Sequence, residues 1–152
     1  NLTYVPVDFE TQSLAAQLQL AGLKTEVPTF FSWLGVSMYL TPQTVMLTLQ
    51  CVADATIAGG GIAFDYITPP NPQTLSQKLH WLMLKAWLSA IGEPWKGFFN
   101  PAVLRDALKA QGFTSILDMG PDDINARYFS VQSGRHAVSG LGRLICAQRW
   151  DW

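Results

Sequence analysis

From residue 27 to residue 53 the chain carries no Asp, Glu, Lys or Arg. A stretch of that length without charge belongs either in a membrane or deep in a core. Three breaks decide between them: Pro28, Gly35 and Pro42 interrupt the run, and Thr41, Gln43, Thr44, Thr48 and Gln50 would each be costly in hydrocarbon. The stretch therefore predicts a strand over residues 29–36 (TFFSWLGV), continuously apolar and covered on both faces. A helix follows, capped by Thr41 with Pro42 at its first position, and Val45, Leu49 and Val52 form its buried stripe.

The remaining sequence extends this alternation. Residues 2–9 (LTYVPVDF) form a β-rich run ending near an acid and predict a strand. Thr11 then caps a helix over residues 11–21 that shows Leu14, Leu18 and Ala21 on one face and stops at Gly22. Gly59, Gly60 and Gly61 read as a flexible connection, since they precede a strand rather than follow one. That strand is residues 62–66 (IAFDY), with Asp65 at its C-terminal end, where open α/β sheets place their ligands. After a turn at residues 69–72 comes a long helix with Leu75, Leu79, Leu82, Met83, Ala86 and Ile91 as its inward period, widened by Trp81 and Trp87. Asn100 and Pro101 open another helix with Leu104 and Leu108 inside and Gly112 at its stop. Strands over residues 115–119 and 143–149 close the chain, the second preceded by a loop or hairpin arm over residues 134–142. Strand and helix alternate until the last two strands, which are expected to follow each other as an antiparallel hairpin. The pattern predicts an α/β, doubly wound sheet in one domain.

Composition removes several classes of function. At 152 residues, 49% hydrophobic and 14% charged, the chain can bury one substantial core. A net charge of −1 supplies no basic field for nucleic acid or anionic lipid, so neither is an expected partner. Cys51 and Cys146 lie in apolar runs, as reduced thiols of cytoplasmic proteins do; a cytoplasmic location and no disulfide are expected. No pair of Cys or His has metal-ligand spacing. A hydrolase elbow is absent, because Ser32, Ser37 and Ser139 lack flanking glycines, and neither His80 nor His136 has an assignable partner.

Four ordered segments are more specific: VPVDFE (residues 5–10), FFSWLGVSMYL (residues 30–40) before a Thr-Pro helix start, FDY (residues 64–66) and GPDDINARYF (residues 120–129). In order and spacing they resemble the second half of the leucine carboxyl methyltransferase-like S-adenosylmethionine (SAM)-dependent O-methyltransferases. The resemblance implies a partial Rossmann-like methyltransferase sheet, mostly parallel with a C-terminal antiparallel hairpin and lacking the first two strands, with a helical cap inserted at about residues 72–99. It implies SAM as cofactor, with Asp8 accepting from the adenine amine and Phe9 against the ring. Capping of the next helix is the other reading of Asp8. Leu34, Gly35 and Tyr39 fall in the family's E-G-x-L-x-Y-L floor of the cofactor pocket, with Leu34 where the family has glutamate. Tyr39 also fits simple packing at a strand-to-helix corner. Trp81, Trp87 and Arg127 are the residues the resemblance assigns to the acceptor pocket, with packing or ion pairing as their alternatives. No catalytic residue is assigned.

Family features that precede these segments, a Gly-rich loop and a ribose-binding acid among them, are absent from this sequence. A truncated chain without a complete cofactor site is expected, with exposed strand edges open to pairing with another copy. The implied acceptor is a carboxyl or hydroxyl of a small molecule or peptide. Two other readings stand beside this one: a non-catalytic interaction module derived from the same fold, and an unrelated α/β enzyme with Asp8 and Asp65 as acid and base.

Overall fold

The computed structural model describes residues 2–129, 138 and 140–150. Most of the loop expected over residues 134–142, with His136 and Ser139, lies outside them. The elements run α1 (Leu14–Leu20), β1 (Thr29–Trp33), a 3₁₀ turn (Ser37–Tyr39), α2 (Pro42–Ala55), β2 (Gly60–Ile67), α3 (Leu75–Ala90), α4 (Pro101–Ala110), β3 (Ser115–Met119), α5 (Pro121–Tyr128) and β4 (Gly142–Gln148). The fold is α/β with one four-stranded sheet in the order β1-β2-β4-β3.

Strand direction makes the sheet mixed. The β1 and β2 strands pair in parallel, and β4 is antiparallel to both β2 and β3. Three strands therefore point one way, while the reversed β4 leaves one parallel ladder and two antiparallel ones. The last two strands are neighbours but not a direct hairpin, because α5 stands between them in the chain. Asp122 and Asp123 in the first turn of α5, and the Asp123 carboxylate accepting from Gly120 N at 2.9 Å, favour that unpredicted helix.

Side-chain alternation sends Phe31 and Trp33 of β1, Ile62, Phe64 and Tyr66 of β2, and Ile145 and Ala147 of β4 to one face. There they meet Val45, Leu49 and Val52 of α2 and Leu104 and Leu108 of α4. These helices form as their caps predict: Thr41 Oγ1 accepts from Thr44 N, and Asn100 Oδ1 from Ala102 N. Full burial of a Val, Leu, Ile or Phe side chain contributes about 1.5–3 kcal/mol. The opposite face is only thinly covered: Phe30 and Leu117 are exposed there, while Ala63 and Cys146 are half-buried.

Several expectations need correction. Residues 2–9 form no strand: a strand is defined by its ladder, and this segment pairs with none of the described strands. Their alternation survives all the same: Val5, Val7 and Phe9 are half-buried between exposed neighbours. Ser13, not Thr11, caps α1, since Thr11 is consumed in the preceding turn. The β1 strand stops at Trp33, where Gly35 takes a φ of 75°, and it is an edge strand with alternating burial rather than one covered on both faces. The glycines at 60 and 61 belong to β2 and are no loose connection: a Cβ on Gly60 would stand 1.8 Å from the Thr29 carbonyl oxygen. Finally, α3 is turned from its predicted orientation. Trp81, Leu84 and Leu88 are its covered positions, and Leu75, Leu79, Leu82, Met83 and Trp87 face outward. Its apolar residues occupy most of the helix circumference, so period alone could not choose the inner face.

Candidate functional site

At the carboxyl end of β1 a turn and a bend are fastened together. Asp8 builds the turn: its Oδ1 accepts from Glu10 N at 2.9 Å and its Oδ2 from the Thr11 hydroxyl at 2.7 Å. The Thr11 hydroxyl, and after it the Glu10 amide, hold the Asp8 carboxyl below the usual carboxylate range, so it stays ionised through neutral pH. Phe9, next in the chain, stacks on Trp33 at 5.9 Å and 27°. Glu10 then reaches the start of α2, where its carboxylate accepts from Thr41 N at 3.1 Å and from the Thr44 hydroxyl at 3.0 Å. An acid at a helix N-terminus is favoured by the orphan amides and the helix dipole. The turn is thereby tied to both ends of the segment from Leu34 to Leu40.

That segment is held from its other side by β2. The Asp65 carboxylate accepts from Gly35 N at 2.7 Å, and the Ser37 hydroxyl donates to the Asp65 carbonyl at 2.6 Å. Asp65 thus braces the bend, as its place at a strand end allowed. A Cβ on Gly35 would meet nothing within 4 Å, so space is open beside that backbone. Leu34 is exposed and Tyr39 half-buried. The Tyr39 hydroxyl donates to Glu93 at 3.2 Å, and that hydrogen bond raises the phenol pKa above its ordinary value. Trp33 Nε1 is a buried donor with no partner at the same strand end.

The structure therefore gathers Asp8, Phe9, Leu34, Gly35 and Tyr39 along one end of the parallel pair. Sequence reasoning missed Glu10, which locks the turn to α2, and Glu93, which anchors Tyr39; both are acids whose partners lie about 30 or more residues away. The three residues assigned to the acceptor side are dispersed. Trp81 is half-buried against Trp95 and Phe98. Trp87 is 59% exposed on the outer side of α3. Arg127 is exposed on α5, its guanidinium 5.9 Å from the Tyr128 ring centre. Among the described residues no helix is long and apolar enough to cross a membrane, and no cluster of three His, Cys, Asp or Glu could hold a metal ion.

Fold and strand order are consistent with part of a Rossmann-like methyltransferase sheet. A crystal structure of a "possible exported protein" from Bordetella parapertussis shares this fold with a TM-score of 0.51 and 17% identity, over 79% of this chain and 38% of that one. The family model for leucine carboxyl methyltransferase matches residues 1–53. A curated relative, "Putative S-adenosyl-L-methionine-dependent methyltransferase YktD" of Bacillus subtilis (strain 168), is 31% identical over 132 residues, or 86% of this chain and 42% of the relative. These two matches support a place for the chain in the leucine carboxyl methyltransferase-like family, and it spans less than half the length of that curated relative.

Proposed function

We propose that the chain carries part of a SAM-dependent O-methyltransferase, with the adenine end of the cofactor pocket at the Asp8 turn and the Gly35 bend. The acceptor is a carboxyl or hydroxyl of a small molecule or peptide. The observation that carries this reading is the fastening of the turn to both ends of the Leu34–Leu40 segment through Phe9 and Glu10, at the mouth of the parallel strands.

The residues fit the adenine end of such a cofactor. Each Asp8 oxygen accepts one bond and keeps a further lone pair, so an exocyclic amine has a charged acceptor already oriented by the turn. Phe9 offers a ring steadied on Trp33, and Gly35 leaves its side open. When bound, SAM supplies an electrophilic methyl on a sulfonium sulfur, which an acceptor oxygen takes with its lone pair as the C–S bond breaks. The chain's own contribution is to position the cofactor end and exclude water beside the Tyr39 turn. The ribose and methionine ends of the cofactor are not assigned to residues of this chain. The two unpaired thiols support a reducing, cytoplasmic setting.

Adenosine titrated at millimolar concentration into the isotopically labelled chain tests the site. The Asp8, Phe9 and Gly35 amides should shift, and Asp8→Asn, which keeps a turn acceptor but removes the charge, should weaken binding by about fivefold. Shifts confined to other segments would remove the proposed pocket.

A further inference from the structure

Behind α3 three aromatic rings meet. Trp81 and Trp95 lie 6.4 Å apart at 40°, and Phe98 stands edge-on to Trp81 at 5.9 Å and 77°. With Pro94 they wall a cavity of about 290 Å³. Its volume is near the lower end of small-molecule sites, which run from about 300 Å³ upward, and suits a compound of one or two rings.

Polar groups enter from one stripe of the helix. Lys85 and Ser89 follow Trp81 at successive four-residue steps, so an ammonium and a hydroxyl border the cavity on the same face. An aromatic cluster alone would suit a cation. The charge here decides otherwise: no acidic residue is among the described residues that line it, and Lys85 repels a cation while attracting an anion. Glu93, the nearest acid in the chain, is bonded to Tyr39 on the other side of Pro94. Pro94 also lines the adjoining cleft of about 430 Å³ that holds Tyr39 and Lys96. The cavity thus adjoins the Tyr39 end of the candidate cofactor site.

We propose that this cavity binds a flat apolar ring system bearing one carboxylate, the ring against Trp81, Trp95 and Phe98 and the carboxylate toward Lys85 and Ser89. Naming that molecule as the methyl acceptor rests on the methyltransferase reading; its binding needs no cofactor.

Three probes share a ring and differ in charge: 2-naphthoate, 2-naphthamide and 2-naphthylmethylammonium. Each is titrated into the full chain while the indole N–H signals of Trp81 and Trp95 are followed by NMR. Naphthoate should shift both signals and bind about fivefold more tightly than the amide, as one exposed ion pair allows, with the cation weakest. Lys85→Gln should bring naphthoate to the affinity of the amide and leave the amide unchanged. Lys85 is solvent-exposed, so this variant keeps its fold, which circular dichroism verifies. Equal binding of acid and amide, preference for the cation, indifference to Lys85→Gln, or no shift at the two indoles would each overturn the proposal. Naphthoate binding with failure of the adenosine test keeps this site and removes the methyltransferase reading; the opposite pair of results removes only this site.

Discussion

Tyr66 shows how much one buried polar contact governs. Its ring is fully covered, its hydroxyl donates to Asp118 at 2.9 Å, and Arg143 Nε donates to the other Asp118 oxygen at 3.0 Å. The Asp118 side chain is only 3% exposed, so these two donors satisfy a carboxylate that water hardly reaches. Burial, and then the hydrogen bond to Asp118, push the Tyr66 phenol well above its ordinary value. A folded pKa raised above the unfolded one gives stability that is complete below about pH 10 and is lost as pH rises from there toward the folded value. An ultraviolet titration of the four tyrosines should therefore show one that ionises only as the chain unfolds. Tyr66→Phe should abolish that late step and cost about 1–2 kcal/mol at neutral pH by removing one donor from Asp118. An unchanged late step in that variant would reassign it. None of this triad was legible in the sequence: its members are separated by 52 and 25 positions, and only the strand order brings them together.

Elements differed in how openly they announced themselves. Caps and punctuation act locally, so α2, α4 and β3 sit where Thr41-Pro42, Asn100-Pro101 and Gly112 placed them. Elements that depend on neighbours were less legible. The 2–9 segment has strand composition but no ladder, and α3 has apolar residues around most of its girth, so its inner face was set by where Trp95 and Phe98 fold back. Among the described strands β1 is an edge without the usual protection: residues 29–33 contain no charge, no proline and no bulge, and Phe30 is 50% exposed. We propose that two copies associate through this edge. Sedimentation at rising concentration should show a dimer, and Phe30→Lys should suppress it with little change in thermal midpoint. A wild-type chain that stays monomeric throughout would exclude the association.

For the whole molecule, the sequence alone conveyed the α/β class, the alternation and the segments that meet at the carboxyl end of β1. It did not convey that Glu10 and Glu93 would hold that end in place, nor that Trp87 and Arg127 would be exposed while Trp81 is half-buried. Those outcomes depend on packing between distant segments, which spacing does not encode. The order β1-β2-β4-β3 also makes the sheet unusually dependent on its last strand. A chain ending at residue 141 would lose both antiparallel ladders and leave β3 without a partner. Thermal circular dichroism of that variant should show no cooperative transition, whereas a retained sharp melt would mean that β1, β2 and the helices form a core by themselves. During synthesis the same arrangement imposes a timetable. A nascent chain can join its first two strands early, but β3 must wait for the ribosome to release residues 142–148, and until then a newly made copy carries an unfinished sheet that chaperones could recognise.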